Sequence, residues 1–321
     1  LLDEDHILGF DEIEVSKDDA KCKLAEKWMQ KTAVDSELQV NENDTQIHIK
    51  GREFAYTIDR RTALFTEMKF AGREYLNHPM ELNIWRAPTD NDMYIKAEWK
   101  KAHYDKAYTR AYTTEVVQGK HGVKIVSHAS VVAETVQKIL DVTITWKIDA
   151  SGKIDADIEA TKDGEFPDLP RFGVRMFLDK KLSDARYFGM GPQESYRDKH
   201  QAASHGLYRA NVGDLHEDYI RPQENGSHYD CEYVELNNSR YGIVASAEKA
   251  FSFNASYYTQ EELEKKTHNY ELIESDSVVF CVDYALNGIG SNSCGPVVLE
   301  QYRFDDVLFR FQFTLIPYVK G

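Results

Sequence analysis

Thr143-Ile-Thr-Trp-Lys-Ile-Asp149 alternates apolar and polar residues, turns at Ala150-Ser-Gly-Lys153, and resumes the alternation as Ile154-Asp-Ala-Asp-Ile158. A period of two gives a pleated strand one apolar face, so two such runs around a polar, glycine-containing turn predict a β-hairpin. The same signature recurs in Phe54-Ala-Tyr-Thr-Ile-Asp59, Leu64-Phe-Thr-Glu-Met-Lys-Phe70, Val123-Lys-Ile-Val126, Phe251-Ser-Phe-Asn-Ala-Ser-Tyr-Tyr258 and Phe309-Arg-Phe-Gln-Phe-Thr-Leu-Ile316. Many strands separated by turn residues predict a sandwich rather than a βα alternation. Helical signals are few. Tyr258-Thr-Gln-Glu-Glu-Leu-Glu-Lys-Lys-Thr267 offers Thr259 as an N-cap with acids in the first turn, and Ala97-Glu-Trp-Lys-Lys-Ala-His-Tyr104 predicts a short helical turn.

Composition bounds the function. The 321 residues are 42% hydrophobic and 12% aromatic, enough for a sizeable core. Asp and Glu number 54 against 39 Lys and Arg, and the net charge of -15 repels phosphate backbones and anionic membrane surfaces. Neither nucleic acid nor a membrane is an expected partner. No apolar run approaches the roughly 20 residues of a membrane helix, and the charged start Leu1-Leu-Asp-Glu-Asp-His6 lacks a signal-peptide layout, so the expected location is cytoplasmic. Cys22, Cys231, Cys281 and Cys294 lie far apart and predict reduced thiols, and the eleven histidines show no zinc-ligand spacing.

Four loops concentrate polar chemistry. Trp85-Arg-Ala-Pro-Thr-Asp-Asn-Asp92 sets Trp85, Arg86, Asp90, Asn91 and Asp92 around a proline turn, suited to a structural or interface role. Gly189-Met-Gly-Pro-Gln-Glu-Ser-Tyr196 and Arg221-Pro-Gln-Glu-Asn-Gly226 place Gln193, Glu194, Glu224 and Asn225 on loops. Glu194 and Glu224 invite comparison with a glycosidase carboxylate pair, but in a chain with 54 acids no pairing follows from the residues alone. Gly288-Ile-Gly-Ser-Asn-Ser-Cys-Gly-Pro296, after the strand-like Val278-Val-Phe-Cys-Val-Asp-Tyr284, has a backbone shaped by glycine and proline, leaving Asn292, Ser293 and Cys294 to face a ligand. No Cys-His-Asp pattern activates Cys294 as a nucleophile.

These four motifs, in this order and with Asp168-Leu-Pro-Arg-Phe-Gly173 as a fifth anchor, resemble the C-terminal domain of β-galactosidases of glycoside hydrolase family 2. The resemblance implies an all-β fold, a large antiparallel β-supersandwich like that of galactose mutarotases. It divides the chain into residues 1–35, the end of a preceding immunoglobulin-like domain and a linker, and residues 36–321, the supersandwich. It implies a part in retaining hydrolysis of terminal β-D-galactosides. Both catalytic glutamates are then expected on a TIM barrel outside this chain, so the chain alone is expected to be inactive. Asn292, Ser293 and Cys294 then form the edge of the substrate pocket, with Cys294 where some members carry tryptophan, and Arg171 is a further residue shaping the pocket entrance. No cofactor is expected on this chain, and Mg or Na, where needed, is held by other domains. The expected partners are the rest of the β-galactosidase chain, a galactoside, and further copies in a homo-oligomer. Two other classes stay open: a stand-alone carbohydrate-binding module, which needs an exposed aromatic platform, and a mutarotase-like epimerase, which needs a His and a Glu converging in a concave sheet.

Overall fold

The computed structural model describes residues 9–13, 37–135 and 138–320. Five strands form a small antiparallel meander: β1 (Gln39–Glu42), β2 (Gln46–Lys50), β3 (Phe54–Asp59), β4 (Leu64–Phe70) and β5 (Arg73–Glu74). Twelve more form a second antiparallel sheet: β6 (Leu76–Asn83), β7 (Tyr108–Gln118), β8 (Gly122–Val132), β9 (Leu140–Asp149), β10 (Ile154–Lys162), β11 (Arg171–Asp179), β12 (Asp184–Gly191), β13 (Ser204–Asn211), β14 (Ser227–Asn237), β15 (Tyr241–Ser256), β16 (Ser277–Leu286) and β17 (Leu308–Val319).

This large sheet forks at β15. One edge of β15 pairs with β14; on the other, Tyr241–Ser246 pairs with β17 and Ser252–Ser256 with β16. One branch continues as β17-β10-β9-β8-β7 and the other as β16-β11-β6. The result is the all-β supersandwich architecture.

The predicted hairpin is β9 and β10. Asp149 Oδ1 accepts from the backbone amides of Ser151 at 2.8 Å and Lys153 at 3.2 Å, and Gly152 takes the left-handed φ of +85° that the turn requires. Across the next ladder, Ala156 faces Phe313 and Ala160 faces Phe309, so small residues make room for large ones on the buried face. Trp146 is fully buried and joins the two sheets: its indole N–H donates to the Ala63 carbonyl at 2.8 Å, and its ring meets Phe65 edge-on at 4.9 Å. Buried residues of both sheets share one continuous core.

Two helices interrupt the strands. Helix α1 (Ile95–Lys101) begins two residues before the predicted Ala97, because the buried Trp99 anchors it by donating to the Asp168 carbonyl at 2.8 Å. It also ends earlier than expected, Tyr104 starting a separate 3-10 turn after His103 adopts a left-handed φ of 58°. Helix α2 (Gln260–Lys265) is capped by Thr259, whose hydroxyl accepts from the Glu262 amide at 3.1 Å. Thr259→Ala should therefore cost about 1 kcal/mol in a denaturant titration, and an unchanged midpoint would show the cap to be irrelevant.

The run Ile7-Leu-Gly-Phe-Asp-Glu-Ile-Glu-Val15 reads as a short strand from its sequence, and its described part differs. Residues 9–13 carry no strand pairing, although the Glu12 carboxylate accepts from the His205 amide of β13 at 2.9 Å. The rest of that strand, the charged connection and Cys22 lie outside the described residues. Cys231 and Cys281 are buried free thiols and Cys294 an exposed one.

Candidate functional site

The motif loops meet at one end of the β16-β11-β6 branch and its neighbours. Residues 85–92 follow the end of β6, Arg171 opens β11, residues 287–307 follow β16, residues 192–203 follow β12, and residues 221–226 lead into β14. Antiparallel pairing of β6 with β11, β11 with β16, and β12 with β14 brings these ends together.

Behind the loops lies a buried ion-pair network. Arg86, with no exposed surface, holds Asp92 through Nη2 to Oδ1 at 2.7 Å and Nε to Oδ2 at 3.2 Å. Arg171, equally buried, grips Asp283 at 2.6 and 3.2 Å and reaches Glu224 Oε2 at 3.4 Å. Burial pushes the Glu224 carboxyl above its ordinary pKa, while the charges of Arg171 and Arg86 pull it back. The Asp283 carboxyl is raised for the same reason against the pull of Arg171. Glu224 Oε1 has no hydrogen-bond partner among the described residues.

In front of this network stands the 288–296 loop, held by three side chains from distant segments. Arg86 donates to the Asn287 carbonyl at 2.5 Å and the Gly288 carbonyl at 3.1 Å. Asn91 donates to the Gly290 carbonyl at 2.6 Å and accepts from the Ser293 hydroxyl at 2.8 Å. Asp198 accepts from two successive amides, Ile289 at 2.9 Å and Gly290 at 2.7 Å. Gly290 adopts a φ of +69°, which a residue with a Cβ meets only under strain. A rigid, backbone-clamped loop results, with Ser293 and Cys294 exposed and Asn292 half-buried.

The sequence candidates therefore divide. Asn292, Ser293 and Cys294 lie together on the clamped loop. Asn91 is its brace, and Asp90 sits beside it, its amide donating to Gln223 at 3.1 Å. Trp85, Arg86 and Asp92 are buried within the chain, Trp85 meeting Trp99 edge-on at 6.2 Å. Of the structural and interface roles open to 85–92, the contacts within the chain are structural: Arg86 satisfies its buried charge with Asp92 and the loop carbonyls. Arg171 likewise is fully buried, behind the loops.

Glu194 and Glu224 do not face a shared cavity as a catalytic pair. Glu194 accepts from Lys199, from the Tyr219 hydroxyl and from the Gly226 amide at 2.8 Å, while Glu224 is ion-paired behind the loop. Gln193 is exposed, and the buried Asn225 accepts from the Glu217 amide at 3.0 Å. Asp198 and Asp283 escaped sequence reasoning. For Asp198 the available signal was an acid next to Arg197 directly after a glycine-rich turn; for Asp283 it was an acid interrupting an apolar strand, which demands a buried cation. Among the described residues no group of three or more His, Cys, Asp or Glu side chains is placed to hold a metal ion.

A family model described as beta galactosidase small chain matches residues 50–315. The chain belongs to that family. It is 42% identical over 98% of its length to a beta-galactosidase of Actinobacillus pleuropneumoniae and 32% identical over 88% to one of Staphylococcus xylosus. It spans only 30% and 28% of the length of those two relatives. Among solved structures, a galactose 1-epimerase from Lactobacillus acidophilus aligns with a TM-score of 0.44 and 9% identity, covering 89% of this chain and 99% of that one. No helix among the described residues is long and apolar enough to cross a membrane.

Proposed function

We propose that residues 36–321 are the C-terminal supersandwich of a cytoplasmic β-galactosidase, following the end of an immunoglobulin-like domain in residues 1–35, and that the chain completes the sugar pocket from outside the catalytic barrel. One observation carries this reading: the 288–296 loop is clamped by Arg86, Asn91 and Asp198 while Ser293 and Cys294 stay exposed. A rigid loop with unspent polar groups suits a pocket edge, because little ordering cost falls on ligand binding. The retaining reaction needs two carboxyl groups about 5 Å apart across the scissile bond. Glu194 and Glu224 are both committed to internal partners, so the nucleophile and the acid/base belong to other domains, as does any Mg or Na.

The purified chain should accordingly leave a chromogenic β-galactoside intact and restore turnover only when mixed with the remaining portion of the enzyme. Turnover by the chain alone, abolished by Glu194→Gln or Glu224→Gln, would refute the assignment. In the complete enzyme, Asn292→Ala should change kcat/KM by up to about tenfold, the effect of losing one sugar hydrogen bond of about 0.5–1.5 kcal/mol. Cys294→Trp adds an aromatic face at the pocket edge and should alter KM by stacking or by obstruction. If neither variant moves the kinetic constants while melting temperatures hold, the loop does not touch substrate.

A further inference from the structure

A polar cavity of about 210 Å³ opens where the large sheet forks. Its walls include Arg197 beyond β12, Tyr229 and Asp230 on β14, Ser252 on β15, Tyr284 on β16, and Asp306 before β17. At Asp230, β14 takes a left-handed φ of 53° within a bulge, and β15 is exposed over residues 248–250 just before its pairing with β16 begins. The cavity thus lies beside the fork, lined by the bulge of β14, by β15 where it takes up its pairing with β16, and by β16 itself.

Its polar groups have fewer internal partners than those of the buried network, although Asp230 Oδ2 lies 3.9 Å from His205 Nε2. Burial pushes the hydroxyls of Tyr229 and Tyr284 above their ordinary pKa, with Asp230 adding to the first, Asp306 to the second and Arg197 opposing both, and neither hydroxyl has a hydrogen-bond partner among the described residues. Arg197 uses Nη1 to hold the Arg303 carbonyl at 2.9 Å, leaving the rest of its guanidinium free to donate. Tyr284 is fixed by stacking on Phe309 at 5.1 Å with an interplanar angle of 15°, so its hydroxyl is held in place before any ligand arrives. Donors and acceptors therefore line a small cavity beside aromatic surface.

We propose that this cavity is a binding site for a single neutral sugar ring, separate from the 288–296 loop. A pyranose offers apolar C–H faces and a rim of hydroxyls that both donate and accept, which matches aromatic walls studded with phenol, carboxylate and guanidinium groups. The cavity is smaller than the range typical of drug-sized ligands, which suits one ring rather than an extended oligosaccharide. Two aspartates against one arginine, on a chain of net charge -15, disfavour a phosphorylated or carboxylated ligand. The assignment goes beyond the β-galactosidase reading and requires no turnover.

Saturation-transfer NMR on the chain, with D-galactose and methyl β-D-galactoside as probes and inorganic phosphate and glycine as controls, tests it. Saturable millimolar binding of at least one sugar is expected, with none of either control. Tyr284→Phe keeps the stacked ring and removes only the hydroxyl, and Asp306→Asn changes an exposed residue, so both variants should melt as the parent does. Each should weaken sugar binding by about two- to tenfold, and Asn292→Ala should leave it unchanged. Absence of saturable sugar binding at tens of millimolar overturns the proposal. So does binding that survives both cavity variants, binding lost with Asn292→Ala, or glycine or phosphate binding in place of sugar. Because Asn292→Ala reads the loop and the cavity variants read the fork, failure here is separable from failure of the pocket-edge assignment.

Discussion

Arg171→Ala is expected to destabilise the folded chain by about 3–5 kcal/mol, the typical loss when one partner of a buried ion pair is removed. The guanidinium has no exposed surface, and its departure leaves the fully buried Asp283 without its cation and the nearly buried Glu224 with only the charge of Arg86. Both carboxylates are buried, so each either bears its desolvation cost or takes up a proton. Burial already raises the pKa of both carboxyls, and without Arg171 they should be protonated at still higher pH. The destabilisation should then shrink as the pH is lowered. Arg171→Ala combined with Asp283→Ala should cost clearly less than the sum of the two single changes, because the second removes the charge stranded by the first. Urea titrations of the four proteins at neutral and mildly acidic pH measure this. Strict additivity would mean that the two side chains do not act as a pair.

A second large effect concerns His228. Its ring is nearly fully buried, stacks on Phe253 at 5.0 Å, and hydrogen-bonds through Nδ1 to the Met190 carbonyl at 3.1 Å. Nε2 has no partner among the described residues. Burial lowers its pKa from 6.5 to about 4, against the smaller opposing pulls of the Met190 carbonyl and the Glu194 charge. Because the folded value lies below the unfolded one, the stability contributed by neutral His228 is complete above pH 6.5. It is lost as the pH falls from about 6.5 to about 4, where the unfolded chain takes up a proton that the folded chain refuses. At about 1.4 kcal/mol per pKa unit, the loss amounts to about 3 kcal/mol. His228→Phe preserves the aromatic packing and removes the titration, so its stability should depend less steeply on pH across that interval. Parallel pH profiles for the two proteins would show that His228 is not the group responsible.

Much of the fold was legible in local pattern. Alternation over 143–149 and 154–158, with Asp149 and Gly152 between, dictated the β9–β10 hairpin, since a period of two and a left-handed turn glycine are properties of the chain itself. Thr259 marked the start of α2 for the same reason: a cap hydroxyl meets an amide three residues away. Helix α1 was misplaced by two residues because its position is set by Trp99 reaching Asp168, a contact spanning 69 residues that no local signal carries.

The site was legible only in part. Glycine and proline punctuation marked 288–296 as a shaped, polar loop; in the structure Ser293 and Cys294 are exposed, Asn292 is half-buried and Gly288 is buried. Which residues hold it was not readable, since Arg86 and Asn91 lie about 200 positions away and Asp198 about 90. Trp85, Arg86, Asp92 and Arg171 belonged to the right motifs, yet their burial depends on which strand ends converge. By itself, the sequence determined the strand periodicity, the turn positions and the polar character of the loops, because these follow from φ/ψ preference and side-chain alternation within a few residues. Tertiary structure alone decided that β15 forks, that acids and arginines far apart in the chain pair in the interior, and that a polar cavity opens beside the fork. Each of these depends on long-range register, where desolvation makes a buried charge tolerable only beside its counter-charge.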